Sequence, residues 1–416
     1  MVIKRDLYLN KLISVQHNGM IKIITGIRRC GKSFLLSNLY TAWLKEHGVD
    51  TNHIININLE DRRNRILRDP DVLLQYIDAK IIDDSMHYVM IDEIQHVPEF
   101  EDVLNSYLGM NNIDVYVTGS NARFLSKDVV TTFRGRGFQV HVNPLSFSES
   151  LSATGLTKED GLDEYMLYGG LPQVVLLKSP EHKKSFLKDL FTQTYIKDIV
   201  ERYKIKNTEM LDELLNILAS GIGALTNPGK LANTFESVHH EKVNRTTLAS
   251  YLEYLGDAFI IDRAERYDIK GKKYIDSPYK YYFTDNGLRN VRLNFRQVER
   301  SHLMENIIYN ELIYRGFNVD VGVVPVQRMD NGVRKRSQLE VDFVCNKGFE
   351  RYYIQSALEM STDEKIRQEM ASLRNIDDSF KKIIVVGTHQ PFYKNQDGFI
   401  IMSVYDFLLN EHSLGL

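Results

Sequence analysis

The stretch that most restricts what this chain can fold into is residues 21–40. Ile21-Lys-Ile-Ile-Thr25 is a short β-branched run, Gly26-Ile27-Arg28-Arg29-Cys30-Gly31-Lys32-Ser33 is a loop with two glycines, and Phe34-Leu-Leu-Ser-Asn-Leu-Tyr40 has helical apolar spacing. Strand, loop and helix in this order fit G-x-x-x-x-G-K-[ST], with the required context on both sides. Gly26 and Gly31 let the backbone turn its N–H groups toward a triphosphate at the positive end of the following helix. The candidate cradle is therefore Gly26, Ile27, Arg28, Arg29, Cys30, Gly31, Lys32, Ser33 and Phe34. Lys32 pairs with the β and γ phosphates of the triphosphate in this reading, and the Ser33 hydroxyl ligates Mg²⁺. Arg28 and Arg29 meet phosphate, a partner or solvent alike.

A second element must supply the metal carboxylate. His87-Tyr-Val-Met-Ile91 is a buried-strand pattern that ends in Asp92-Glu93. Asp92 is placed to hold Mg²⁺ through water, and Glu93 to orient or deprotonate the attacking water. Further strands are expected at 53–59, 113–118 and 138–142, and their alternation with helical stretches predicts a parallel sheet covered on both faces. A ligand then sits at the carboxyl ends of the strands, where Ser120 and Asn121 follow the fourth and are candidates for contact with the γ-phosphate or the water. Between that strand and the last lie Arg134 and Arg136; Arg136, flanked by glycines, is the preferred candidate for stabilising transition-state charge.

A length of 416 residues exceeds one core, so two to four domains are expected. Cys30 and Cys345 are far apart in unlike contexts, which gives neither a disulfide framework nor a zinc cluster and points to a reducing cytoplasm. No apolar run has the form of a signal peptide or the ~18 residues of a membrane span. With a formal net charge of -3, any binding of a polyanion rests on local patches.

The loop GIRRCGKS, the strand end VMIDE, and the segments TGSNARFLS, FRGRG, PLSFSE and YGGLP together resemble a prokaryotic AAA-type ATPase family. Its members are similar to AAA+ and signal-transduction (STAND) ATPases and carry a C-terminal domain of unknown function. The resemblance implies ATP use and an α/β fold: a P-loop parallel sheet over 1–150, then a helical lid over 151–205 that packs on the nucleotide, with glycines at Gly169-Gly170 needing only a structural explanation. Residues 206–292 carry three helical patterns and a hairpin with a basic tip at Lys270, Lys272 and Lys273, an order that resembles a winged helix. Arg245, Thr246, Thr247 and Ser250, near the start of the third helix, are then candidates for contacts with DNA. Packing or protein-partner roles are the alternative for this segment.

Residues 293–416 are expected to run helix, three strands, helix, strand, which is similar to the PD-(D/E)xK nuclease core. That similarity puts Glu305 on the first helix, Asp342 in the second strand and Gln355 where a second acid would stand, a candidate second metal set. Ala357 falls at the lysine position, so the cation is missing unless Lys347 or Lys365 supplies it. Gln327 to Arg336 is expected to be a charged loop beside the hairpin. The reading as a whole is an ATP-driven switch or motor on DNA without nuclease activity. Its alternatives are a STAND-type regulator of assembly with itself or a protein partner, and an ATP-gated metal-dependent nuclease.

Overall fold

Five of the β-branched runs in the first third of the chain pair in parallel: β1 (Ile21–Thr25), β2 (Ile54–Asn58), β3 (His87–Asp92), β4 (Ile113–Thr118) and β5 (Gly137–His141), in the spatial order β2-β3-β4-β1-β5. The computed structural model describes residues 2–119, 135–240, 242–330 and 333–415. They form two compact units, one of Met1–Pro144 with Asp257–Phe259, the other of Leu145–Gly256 with Ile260–Leu416. No helix among the described residues is long and apolar enough to cross a membrane.

In the first unit every residue of β3 and β4 is buried, as expected of central parallel strands covered on both faces. One face packs Ile55, Val89, Ile91, Val115 and Val117 against Leu73, Ile77, Val103 and Leu104 of the helices Pro70–Asp78 and Phe100–Asn105. The first of these helices starts where it does because Asp69 accepts the amides of Asp71 and Val72 and Pro70 occupies the first turn. The helix after β1 begins at Lys32–Phe34, widens into π-helical turns at Leu35–Tyr40 and ends as Thr41–Glu46. Beneath it a polar group is buried on purpose: Lys22 of β1 donates to Asp114 of β4, which also accepts from the Tyr116 hydroxyl at 2.7 Å and the His17 amide at 3.1 Å. The connection from β1 to β2 and that from β4 to β5 cross the sheet in opposite directions, which makes the carboxyl end of β1 a topological switch point.

The second unit is built on an eight-stranded mixed sheet in the order β12-β13-β11-β10-β9-β8-β6-β7. Its strands are β6 (Ile261–Asp268), β7 (Lys273–Phe283), β8 (Asn318–Asp330), β9 (Val333–Lys347), β10 (Glu350–Ala357), β11 (Lys381–Val386), β12 (Tyr393–Lys394) and β13 (Ile400–Ser403). The segments 206–292 and 293–416 thus share one sheet, because β6 pairs in parallel with β8 through Arg266↔Val321, Tyr267↔Gly322 and Asp268↔Val323. The helix Arg300–Tyr314 lays Leu303, Ile307, Ile308 and Leu312 on one face against Phe343, Ile354 and Ile383. The helix Asp363–Arg374 covers Tyr353, Val344 and Ile384 on the other with Met370 and Leu373. Successive residues Tyr353 and Ile354 go to opposite faces, the alternation a doubly covered strand requires.

Two details differ from, or explain, the sequence reading. Of the charged stretch 327–336, expected as a loop, residues 327–330 and 333–336 are strand. They continue the β8–β9 ladder as far as the pair Asp330↔Val333, since backbone pairing at the end of a hairpin is indifferent to charged side chains. The helices of the stretch 151–205 pack within the second unit, where the buried Asp285 carboxylate accepts the Gly170 amide at 2.7 Å. A Cβ on Gly169 would lie 2.0 Å from that carboxylate, and Gly169 has φ +75°, so the paired glycines answer a structural need.

Removing the acid from the buried pair of the first unit leaves Lys22 uncompensated. Asp114→Ala should lower the unfolding free energy by about 3–5 kcal/mol in denaturant titrations, whereas replacing Lys22 and Asp114 together by apolar residues should recover most of the loss.

Candidate nucleotide site and acidic centre

The glycine loop leaves β1 in a conformation few residues tolerate. Gly26 has φ +140°, and a Cβ there would lie 2.1 Å from the Val142 carbonyl. Gly31, at φ +102°, opens the helix that follows. Arg5 holds the loop from below, donating to the Cys30 carbonyl at 3.2 Å and to the Asn143 carbonyl at 2.6 Å. Ile27 and Cys30 are buried beneath the turn, Arg29 and Phe34 face solvent, and Arg28 pairs with Glu60 at 2.8 Å. Lys32 is buried and donates to the carbonyls of Gly26 at 2.9 Å and Ile27 at 3.1 Å, which keeps its ammonium at the centre of the loop.

Ser33, Asp92 and Glu93 come together as the motif spacing predicts, joined by a residue the sequence reading did not single out. The Ser33 hydroxyl donates to Asp92 Oδ1 at 2.9 Å, and the Thr118 hydroxyl donates to the same oxygen. Thr118 Oγ1 in turn accepts the Glu93 amide at 3.0 Å. Burial pushes the Asp92 carboxyl upward, against the donors from Thr118 and Ser33. Glu93 leaves the strand in the left-handed region, φ +56°, and Gln95 donates to its carboxylate. A serine hydroxyl and a carboxylate in contact are the hard oxygen donors that Mg²⁺ takes, so these residues suit that ion. The one available signal for Thr118 was its position, last in a strand at the carboxyl edge of the sheet; Arg5 had none.

Of the remaining candidates, Ser120, Asn121 and Arg134 lie outside the described residues. Arg136 is exposed just before β5, where its carbonyl receives the Ile21 amide, and its guanidinium joins none of the hydrogen bonds around Lys32 and Asp92. His141, the last residue of β5, meets Thr25 Oγ1 at 3.2 Å; burial, then the Lys32 charge, push it down to about 4.

In the second unit, Glu305 and Asp342 come together as their pattern suggests, joined by Glu340. The cation beside them is neither Lys347 nor Lys365. Lys280, from β7, reaches Glu305 Oε1 at 2.8 Å, Glu340 Oε1 at 2.8 Å and Asp342 Oδ1 at 3.7 Å. Lys347 instead donates to the Arg315 carbonyl. The Tyr282 hydroxyl donates to Glu305 Oε1 at 2.7 Å. Gln355 sits alongside through its Oε1, 3.4 Å from the Asp342 amide, while the Ser356 amide donates to Asp342 Oδ2 at 2.8 Å. Burial pushes Lys280 down, but the charges of Glu305, Asp342 and Glu340 outweigh it and hold the ammonium protonated. Asp342 is pushed up to about 8 by burial and then by Glu305, with Lys280 opposing.

Residues 18–151 match a family described as "AAA domain", and residues 159–299 match a "Domain of unknown function (DUF8612)". An uncharacterized protein of Haemophilus influenzae is 34% identical over 416 residues, covering 98% of this chain and 99% of that protein. The chain belongs to that protein's family, and its residues 18–151 carry the AAA domain. An uncharacterized protein of Methanocaldococcus jannaschii is 29% identical over 391 residues, covering 91% of this chain and 82% of that one. The Walker-type ATPase PABY2304 of Pyrococcus abyssi has a similar fold, with a TM-score of 0.50 at 16% identity over 70% of this chain and 96% of that one.

His141 generates a pH prediction with a definite sign. Its folded value, about 4, lies below the ordinary 6.5, so the unfolded chain binds the extra proton first. The stability it contributes is complete above pH 6.5 and is lost as pH falls toward 4. His141→Gln should flatten that part of the stability profile measured by denaturant unfolding across the range.

Proposed function

We propose that this chain binds ATP with Mg²⁺, hydrolyses it, and uses the cycle as a switch or motor on DNA. The observation that carries the reading is the chain of contacts Ser33–Asp92–Thr118–Glu93, beside a loop that already holds the Lys32 ammonium. On ATP binding, Lys32 exchanges the Gly26 and Ile27 carbonyls for phosphate oxygens, and the loop amides take the remaining charge. Ser33 and Asp92 would hold Mg²⁺, which when bound neutralises charge on the β and γ phosphates. Glu93 orients the attacking water and accepts its proton. Thr118 links the two acids, so that a shift of Asp92 on metal binding is felt at the Glu93 backbone. Ser120 or Asn121 then contacts the γ-phosphate or the water, and Arg136 supplies positive charge as the transition state forms.

For DNA, support comes from exposed cations in the segment that resembles a winged helix. Lys270, Lys272 and Lys273 are exposed between β6 and β7, and Arg245 and Thr246 are exposed at the start of the helix Arg245–Asp257. In that reading the helix meets a groove and the hairpin tip meets backbone phosphates. The nuclease-like strands of 293–416 serve binding rather than cleavage.

Lys32→Ala should reduce ATP turnover at least about 100-fold, by loss of phosphate contacts. Glu93→Gln should bind ATP normally and lower kcat by about 10²–10⁴. Undiminished turnover in both variants overturns the ATPase reading. Duplex or single-stranded DNA should stimulate turnover in a salt-dependent way, and replacing Lys270, Lys272 and Lys273 by Ala should abolish the stimulation. Nucleotide-dependent oligomers indifferent to DNA would instead identify a regulator of protein assembly.

A further inference from the structure

The acidic centre of the second unit raises a question that the nucleotide reading leaves open: what cation balances it. Glu305 projects from the helix Arg300–Tyr314, while Glu340 and Asp342 stand two residues apart on β9 and so share one face of the sheet. All three converge on Lys280 Nζ, whose side chain is 3% exposed. We propose that this is a cation site whose resident cation is the chain's own Lys280 ammonium, which excludes divalent metal from this centre and makes it an internal clamp between β7, β9 and the helix Arg300–Tyr314.

Three observations lead there. The first is position: an ammonium 2.8 Å from two carboxylates and 3.7 Å from a third fills the space that Mg²⁺ would need in order to approach those oxygens to about 2.0–2.1 Å. The second is tethering. Lys280 is a ladder residue, paired with Ala264 of β6, and its neighbour Tyr279 exchanges two 2.8 Å hydrogen bonds with Thr226, so its stem starts from backbone held on both sides. Gly223 adds a wall: it has φ +72°, and a Cβ there would stand 3.1 Å from the Glu305 carboxylate oxygens. The third is the charge balance at the end of β10. Where a metal-dependent phosphodiesterase needs a further anion and a mobile cation, this chain has neutral Gln355 and Ala357, and Gln355 Oε1 is spent on the Asp342 amide and the Ser372 hydroxyl. The acids of the centre are instead met by donors of the chain itself, Lys280 and the Tyr282 hydroxyl at Glu305 and the Ser356 amide at Asp342.

The proposal does not depend on ATP hydrolysis, and nucleotide-free protein tests it. Mn²⁺ serves as the probe, with free ion followed by electron paramagnetic resonance in the intact chain and in Glu305→Gln, Lys280→Met and Lys280→Met/Glu305→Gln. The native protein should show no Mn²⁺ binding that Glu305→Gln removes. Lys280→Met should lower the thermal midpoint and gain one Mn²⁺ site at least about tenfold tighter than any in the native chain, with the midpoint partly restored by the ion. Adding Glu305→Gln should remove the gained site. A native Mn²⁺ site that depends on Glu305 overturns the proposal, as does Mn²⁺-dependent nicking of plasmid DNA lost in both Glu305→Gln and Lys280→Met. So does a folded Lys280→Met that gains no site. Should that variant not fold, the comparison of the native chain with Glu305→Gln still decides the matter.

Discussion

The first unit depends on one buried ion pair. Lys22 and Asp114 join β1 to β4 near their starts, out of contact with water, and the Tyr116 hydroxyl and the His17 amide satisfy the acid further. The register that this pair accompanies, Lys22↔Tyr116 through Ile24↔Thr118, fixes where the two strands end relative to each other. The glycine loop leaves β1 one residue beyond Ile24, and Thr118 is the last residue of β4. In that alignment the Thr118 hydroxyl bridges Asp92 and the Glu93 amide, while Ser33 meets Asp92 directly. A buried charge is expensive unless met by donors, and here the donors also align the strands that carry the site.

The second unit handles buried charge in a comparable way with different elements. Its sheet gathers strands from sequence positions 261 to 403, and the helix between β7 and β8 carries Glu305 to its centre. Lys280 on β7 and Glu340 and Asp342 on β9 are not on neighbouring strands, since β6 and β8 lie between theirs in the sheet order. The Lys280 ammonium nonetheless meets Glu340 and Asp342, and the helix Arg300–Tyr314 supplies Glu305 as the third acid. Elsewhere in the unit, the paired glycines at 169–170 make room for another buried acid, Asp285, which ties two helical segments together through the backbone amides of Gly170 and Leu288.

Much of the first unit was legible in the sequence because its signals are local. The strand at 21–25, the loop glycines, the acids at 92–93 and the strand at 113–118 are each recognisable within a few residues, and the structure places them as expected. Thr118 was harder, since a hydroxyl at a strand end has many ordinary uses. Arg5 was illegible: its partners, the carbonyls of Cys30 and Asn143, are remote in sequence and leave no pattern. In the second unit the elements were legible but their pairing was not. Nothing in residues 261–268 says that they will lie beside residues 321–323, and a parallel pair across so long a connection has no turn to announce it. Lys280 was hidden for the same reason, being the cation of a motif that lies dozens of residues later. The stretch 327–336 misled in the opposite direction, because its charges suggested a loop while its backbone had a ladder to continue.

The inward-folded Lys32 stiffens the loop that carries it. By donating to the carbonyls of Gly26 and Ile27, the ammonium acts as a template for its own loop, occupying from within the concavity that phosphate oxygens later surround from outside. These two hydrogen bonds tie the start of the loop to the lysine that ends it. In the proposed reading, association with a triphosphate is a trade of partners at one lysine rather than the ordering of a slack segment, and little conformational entropy stands against it.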